Sequence, residues 1–211
     1  IRANKYSVSY LYNYCNFWLC PMEKNLKQQQ SDCLRIVLFG PESTGKTTLA
    51  KALATYYDSS YVPEFARDYL QKKWDTTQEV CTLEDLLVIV KGQLDSENKA
   101  LSAAQRFLFC DTNVLVTQVW SETHFDGYCD PQLKTWGSEL KYDYYFLTHI
   151  DVPWEADDLR DRPEQRTSML THFENILKEK QVPYTHLKGT HEQRMEDAIG
   201  VLESINTPRI K

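Results

Sequence analysis

Gly40-Pro41-Glu42-Ser43-Thr44-Gly45-Lys46-Thr47 is the stretch whose reading decides the fold. It matches G-x-x-x-x-G-K-[ST] at every fixed position. The apolar run Leu34 to Phe39 before it reads as a buried strand, and Thr48 to Tyr57 after it reads as a helix. Strand, loop and helix together form the setting in which this motif is specific. Glycines let the backbone curl until successive N–H groups face one hollow, and the helix start adds the positive end of its dipole. Gly40, Pro41, Glu42, Ser43, Thr44, Gly45, Lys46, Thr47 and Thr48 are therefore expected to hold the phosphates of ATP. Lys46 is placed for the β- and γ-phosphates, and the Thr47 hydroxyl for Mg²⁺. The bland alternative is a glycine-containing turn that fits by accident; the flanking strand and helix weigh against it.

Outward from this loop, strand and helix signals alternate, which predicts βαβ units and a parallel sheet. Strands are expected at Arg35–Phe39, near Tyr61-Val62, at Arg106–Cys110, Tyr142–Leu147 and Tyr184–Leu187. Helices are expected up to Tyr57, through Phe65-Ala66-Tyr69-Leu70, over Leu83–Ala104 and Asn113–Glu122, up to about Lys180, and over Glu192–Ile205. Gly127 to Pro131 reads as loop. Thr82-Leu83-Glu84-Asp85 resembles a capping box with Asp in place of Glu. The fold class is α/β: a three-layer P-loop NTPase domain.

The 211 residues suffice for one domain with a full core. Net charge is −6, which disfavours a general nucleic-acid binder. The six cysteines are scattered with no C-x-x-C pair, pointing to reduced thiols in a cytoplasmic protein and not to a disulfide frame or zinc site. No run reaches the ~18–20 apolar residues of a membrane span, so no membrane partner is expected.

Residues 1–33 form an N-terminal extension and 34–206 the domain. Tyr6 to Cys20 is aromatic and uncharged, too short to span a membrane and too polar for a signal-peptide core. The first methionine is Met22, so the expected start is Met22, with 1–21 as upstream sequence. The rival reading is an interfacial anchor, since Tyr and Trp favour membrane surfaces.

Ligands of open α/β sheets bind beyond the carboxyl ends of the strands. Asp111, after Phe107-Leu108-Phe109-Cys110, holds the Walker-B place, where a carboxylate orients Mg²⁺; the alternative is a helix N-cap. Glu64, past the second strand, is the leading general base for an acceptor hydroxyl, and Asp111 the second choice. The alternative for Glu64 is a first-turn acid favoured by the helix dipole. Arg67, one turn on, is placed to bind substrate or to pair with Glu64 on the helix surface. Arg160, Arg162 and Arg166 lie in a charged stretch after the fourth strand, where a closing arginine stabilises transferred phosphoryl charge. Trp120, Trp154, Trp136 and Trp74 are candidates for stacking on a flat ring, Trp154 first among them; core packing is the ordinary role of each. Gln93 is a candidate reader of a ribose or base, against the plainer reading of a solvated helix face.

Four motifs in order, G-P-E-S-T-G-K-T, V-P-E-F-A-R, F-C-D-T-N-V-L-V-T-Q-V-W and D-V-P-W-E-A-D-D-L-R-D-R-P-E-Q-R, resemble the kinase domain of NadR-type ribosylnicotinamide kinases. The resemblance spans roughly Leu34 to Ile205. It implies a five-stranded parallel sheet of the nucleoside- and nucleotide-monophosphate-kinase type with a lid. It implies phosphorylation of nicotinamide riboside at its 5′-hydroxyl by Mg²⁺-ATP, giving nicotinamide mononucleotide in NAD salvage. By position it assigns Lys46 and Thr47 to ATP and Mg²⁺, Asp111 to the metal, Glu64 to the acceptor, and Arg160, Arg162 and Arg166 to the lid. The segment at Gly189-Thr190 resembles the loop bordering adenine. Longer members of this family carry an adenylyltransferase domain with a His-x-Gly-His element, absent here, so a stand-alone kinase domain is expected. Other nucleoside or deoxynucleoside kinases share the same catalytic parts. A nucleotide-binding ATPase regulator is the alternative from another class.

Overall fold

A computed structural model describes residues 26–160 and 162–205; the expectations for the first 21 residues and for Met22 lie outside them. Among the described residues, five parallel strands alternate with seven α-helices. In chain order they are β1 (Leu34–Phe39), α1 (Lys46–Tyr56), β2 (Ser60–Val62), α2 (Phe65–Thr77), α3 (Leu83–Ala100), β3 (Phe107–Asp111), α4 (Val114–His124), α5 (Pro131–Glu139), β4 (Tyr144–Thr148), α6 (Arg166–Lys180), β5 (Tyr184–Leu187) and α7 (His191–Ser204). The sheet order is β2-β3-β1-β4-β5.

Strand β1 is apolar almost throughout because both its edges and both its faces are covered. It pairs with β3, Leu38 opposite Asp111, and with β4, Phe39 opposite Leu147. Side chains alternate between faces along each strand. Val37, Phe39, Leu108, Cys110, Tyr145 and Leu147 pack with residues of α3, α4, α5 and α6. Ile36, Leu38, Phe107, Phe109 and Phe146 pack with residues of α1 and α7. The result is the expected three-layer α/β sandwich, with the carboxyl ends of β1, β3 and β4 side by side.

Two differences from the sequence reading have plain causes. Helix α3 stops at Ala100, and Leu101–Ala103 tightens into a 3₁₀ turn before Ala104 takes extended backbone, so the expected helix to Ala104 is four residues too long. Helix α5 was not expected. Asp130 caps it by accepting from the Gln132 amide at 2.7 Å, Pro131 opens it, and Leu133 and Trp136 sink into the core. Its two buried anchors are too few to mark a period. Trp136 is consequently a core residue and not a stacking platform. The capping box at Thr82 is present with Asp85, whose carboxylate accepts from the Thr82 amide at 2.7 Å. Among the described residues, Cys81, Cys110 and Cys129 are free thiols.

Candidate active site

The loop 40–47 turns through three positive φ angles, at Gly40 (133°), Ser43 (52°) and Gly45 (81°). Gly40 has no alternative: a Cβ there would lie 2.9 Å from both the carbonyl oxygen and Oγ1 of Thr148. Thr44 Oγ1 bridges within the turn to Pro41 O (2.8 Å) and across to Thr148 Oγ1 (2.7 Å). Lys46 Nζ donates to Pro41 O at 2.6 Å. Gly45 is the N-cap of α1 and offers no side chain to close the helix start. The first amides of α1 are thus left for a ligand, the arrangement that suits an anion.

A cavity of about 350 Å³ opens from this loop. The loop, Glu64, Arg67, Asn113, Trp120 and Arg160 line its polar part; Leu70, Leu86, Ile89, Val116, Met169 and Phe173 line the rest. Asp111 is the last residue of β3 and is fully buried, so strand pairing fixes it. Its Oδ2 accepts from Thr47 Oγ1 at 2.5 Å, while its Oδ1 is buried and meets no donor at hydrogen-bond geometry. The cap of the following helix is Asn113, whose Oδ1 accepts from the Leu115 amide at 3.1 Å. The N-cap alternative for Asp111 therefore falls away. The Tyr61 hydroxyl also lies close to this carboxylate. A hydroxyl and a carboxylate that touch each other at the phosphate loop form a donor set suited to Mg²⁺.

Glu64 precedes α2 as its N-cap and makes no side-chain cap bond there. Its half-buried carboxyl is pushed up to about 7, chiefly by desolvation and then by the charge of Asp111, against the pull of Lys46, Arg67 and Arg160. Burial likewise raises Asp111, opposed first by Lys46 and then by the Thr47 hydroxyl. Two carboxylates under mutual pressure beside a lysine are the kind of pair that marks a reactive site.

Gln93 is 4% exposed, not a solvated residue. Its Oε1 accepts from the Phe65 amide at 2.9 Å, so it holds the start of α2, next to Glu64, against α3. It also lines the cavity. Trp120 lines the cavity too and stacks flat on His124, centroids 3.7 Å apart. Trp154 sits outside the main cavity, in a small adjoining cleft, beneath the Arg166 guanidinium at 5.8 Å.

The three arginines take three different places. Arg160 lines the cavity and is held by Asp157 at 3.1 Å and by Glu155 O. Arg166 donates to Ser43 O (3.0 Å) and Val152 O (2.9 Å), so it clasps the back of the phosphate loop. Arg162 turns towards α4, donating to Thr123 O at 3.0 Å. Arg67 forms its salt bridge with Asp157 of the segment after β4 and not with Glu64, so the alternative of a surface pair with Glu64 gives way to a strap between α2 and that segment. The lid segment is further tied to the loop by Glu155 N donating to Ser43 Oγ at 2.8 Å. Gly189 lies apart from the cavity lining; its amide donates to Asp151 Oδ2 at 2.6 Å.

Sequence reading missed Thr148, Asp157 and Arg194. Thr148 and Asp157 are short polar residues near a strand end and in a charged run, with nothing to distinguish them from neighbours. Arg194 lies on α7 yet is 3% exposed, a burial that no periodicity of so polar a helix signals.

With the geometry in hand, comparison defines the class. A family model described as "AAA domain" (AAA_28) matches residues 35–194, and the chain belongs to that family. Among curated proteins it is similar to the trifunctional NAD biosynthesis/regulator protein NadR of Salmonella typhimurium, 26% identical over 155 residues, which is 72% of this chain and 38% of that protein. The counterpart in Escherichia coli is 27% identical over 150 residues, 68% of this chain and 34% of that protein. The chain thus spans little more than a third of the curated relatives it matches. Among solved structures, a NadR protein in complex with NR superposes with TM-score 0.67 at 19% identity, covering 85% of this chain and 54% of the other. A deoxyadenosine kinase from M. mycoides superposes with TM-score 0.60 at 12% identity, covering 82% of this chain and all of the other. These likenesses establish the P-loop kinase fold.

Proposed function

We propose that this chain phosphorylates nicotinamide riboside at its 5′-hydroxyl with ATP, giving nicotinamide mononucleotide and ADP. The observation that carries the reading is the convergence of Glu64 and the buried Asp111 on Lys46 and Thr47, with Glu64, Lys46 and Thr47 lining a cavity whose remaining wall is apolar. The curated relatives are named for NAD biosynthesis, and one solved relative was captured with NR and another with NAD and AMP-PNP.

In this reading the loop amides and Lys46 bind the β- and γ-phosphates. Thr47 and Asp111 would hold Mg²⁺, which when bound neutralises charge on the phosphate oxygens. Glu64 takes the proton of the acceptor hydroxyl as that oxygen attacks the γ-phosphorus, and the bond from phosphorus to the β–γ bridging oxygen breaks. Arg160 faces the same space and supplies positive charge to the transferred group. Trp120 and the apolar wall receive a flat ring, while Gln93 keeps Glu64 in place through Phe65. ATP, Mg²⁺ and the riboside are then the small molecules this site requires.

The site also suits another nucleoside kinase, since the fold is shared with the deoxyadenosine kinase. The shared parts differ between these readings only in the base pocket. Riboside-dependent ADP release by the wild-type chain separates either kinase from a regulator, and Glu64→Gln tests the base. Riboside-dependent ADP release should drop by roughly 10²–10⁴-fold with ATP affinity kept; equal turnover by the variant would refute Glu64 as the base.

A further inference from the structure

Behind the phosphate loop lies a buried guanidinium that the catalytic reading does not use. Arg194, near the start of α7, is 3% exposed. Its Nη1 donates to Thr44 O at 2.6 Å, and its Nη2 donates to His149 O at 3.1 Å and to Asp151 Oδ1. The other oxygen of Asp151 accepts from Gly189 N at 2.6 Å. One side chain therefore joins the phosphate loop, the end of β4, and the loop between β5 and α7. The arrangement is braced at the helix start, where Thr190 and Gln193 form a capping box.

We propose that Arg194 is a positioning residue for the phosphate loop, with Asp151 as its counterweight. The peptide between Thr44 and Gly45 is trans, so its C=O and N–H point to opposite sides. Pulling the Thr44 carbonyl back onto Arg194 turns the Gly45 N–H forward, away from the guanidinium and into the hollow of the loop. Gly45 itself leaves the guanidinium close beneath: a Cβ built there would be 3.7 Å from Nη1. A buried charge must be paired and hydrogen-bonded to be tolerated, and the two carbonyls and Asp151 supply partners for both terminal nitrogens, leaving the buried Nε without one. Asp151 in turn is held below the usual carboxylate range by the Gly189 amide and the Arg194 charge, despite its own desolvation. The clamp fixes the anion-binding amides before the nucleotide arrives and couples them to the loop at Gly189.

The inference rests on nucleotide binding at loop 40–47 and not on the identity of the acceptor. The test is titration of the full chain with ATP, ADP and AMP, for wild type, Arg194→Met, Arg194→Lys and Asp151→Asn. Arg194→Met should weaken ATP and ADP by about tenfold or more, since one oriented amide and a nearby charge are lost. AMP, which lacks the β- and γ-phosphates, should change less than about twofold. Arg194→Lys should recover part of the loss, and Asp151→Asn should weaken ATP and ADP in the same direction by a smaller factor. Unchanged ATP binding in Arg194→Met, or equal loss for all three nucleotides, would overturn the proposal. If Arg194→Met does not fold, Asp151→Asn and Arg194→Lys carry the same test, and unaltered ATP affinity in both overturns it. Wild-type chain that binds ATP but phosphorylates no riboside would remove the kinase reading and leave this one standing; failure to bind ATP would remove both.

Discussion

Glu64 is where a single residue decides most. A carboxyl raised to about 7 is protonated in acid and cannot then accept a proton. Its base form is lost as pH falls through that value. We therefore expect kcat/KM for the acceptor to fall about tenfold per pH unit below roughly 7 and to level off above it. A profile flat from pH 5.5 to 8 would contradict the role. Lys46→Ala acts on the other partner. It should raise KM for ATP and lower kcat together, because in the proposed reaction the lysine serves both the bound phosphates and their transfer. A change in KM alone would limit Lys46 to binding. The sequence disclosed these two residues because their types and their places after strands are specific. Gln93 was legible only as a polar residue on an apolar stretch; its bond to the Phe65 amide depends on a contact between helices that no local pattern encodes.

At the scale of elements, the contact between α2 and α3 sets the position of Glu64. Helix α2 has no buried residue, so it rests on few anchors. One of them is Phe65, whose ring occupies the space where a Cβ at Gly92 would be built. Gly92→Ala should therefore push Phe65 and the adjoining Glu64 outward. Overpacking of this kind costs about 1–3 kcal/mol, and turnover should fall although Gly92 touches no reacting group. Melting and turnover equal to wild type would show that Phe65 has another place to go. The Arg67–Asp157 strap from α2 to the lid is a second element-scale link, with Arg160 on the same carboxylate. Most elements were legible in the alternation of apolar runs, capping residues and turns. Helix α5 was not, because a short helix with two core anchors, Leu133 and Trp136, leaves no periodic trace.

For the molecule as a whole, the end of the sheet opposite the phosphate loop holds a second buried charge system. Glu97 is fully buried, and desolvation pushes its carboxyl up to about 8, although the Tyr142 hydroxyl at 3.2 Å and the charge of Arg35 favour ionisation. A carboxyl raised on folding binds its proton more tightly in the folded state. Its contribution is complete below the unfolded value near 4.3 and is lost as pH rises towards about 8. Glu97→Gln removes this penalty. The melting temperature of the variant relative to wild type should climb between pH 5 and 9; a constant difference would show that Glu97 titrates as an ordinary carboxyl. Such a pair was invisible in the sequence, since it joins α3, β1 and the segment before β4 across the sheet. The sheet and its phosphate loop, by contrast, were legible from one motif and the strand before it, and the match of residues 35–194 to the AAA domain family agrees. What the whole molecule does is tested most directly by incubation with Mg²⁺-ATP and a panel of ribosides, measuring ADP and phosphorylated product. The account predicts nicotinamide mononucleotide formed at a kcat/KM well above that for any other nucleoside. ATP binding without riboside-dependent ADP, or preference for another nucleoside, would contradict it.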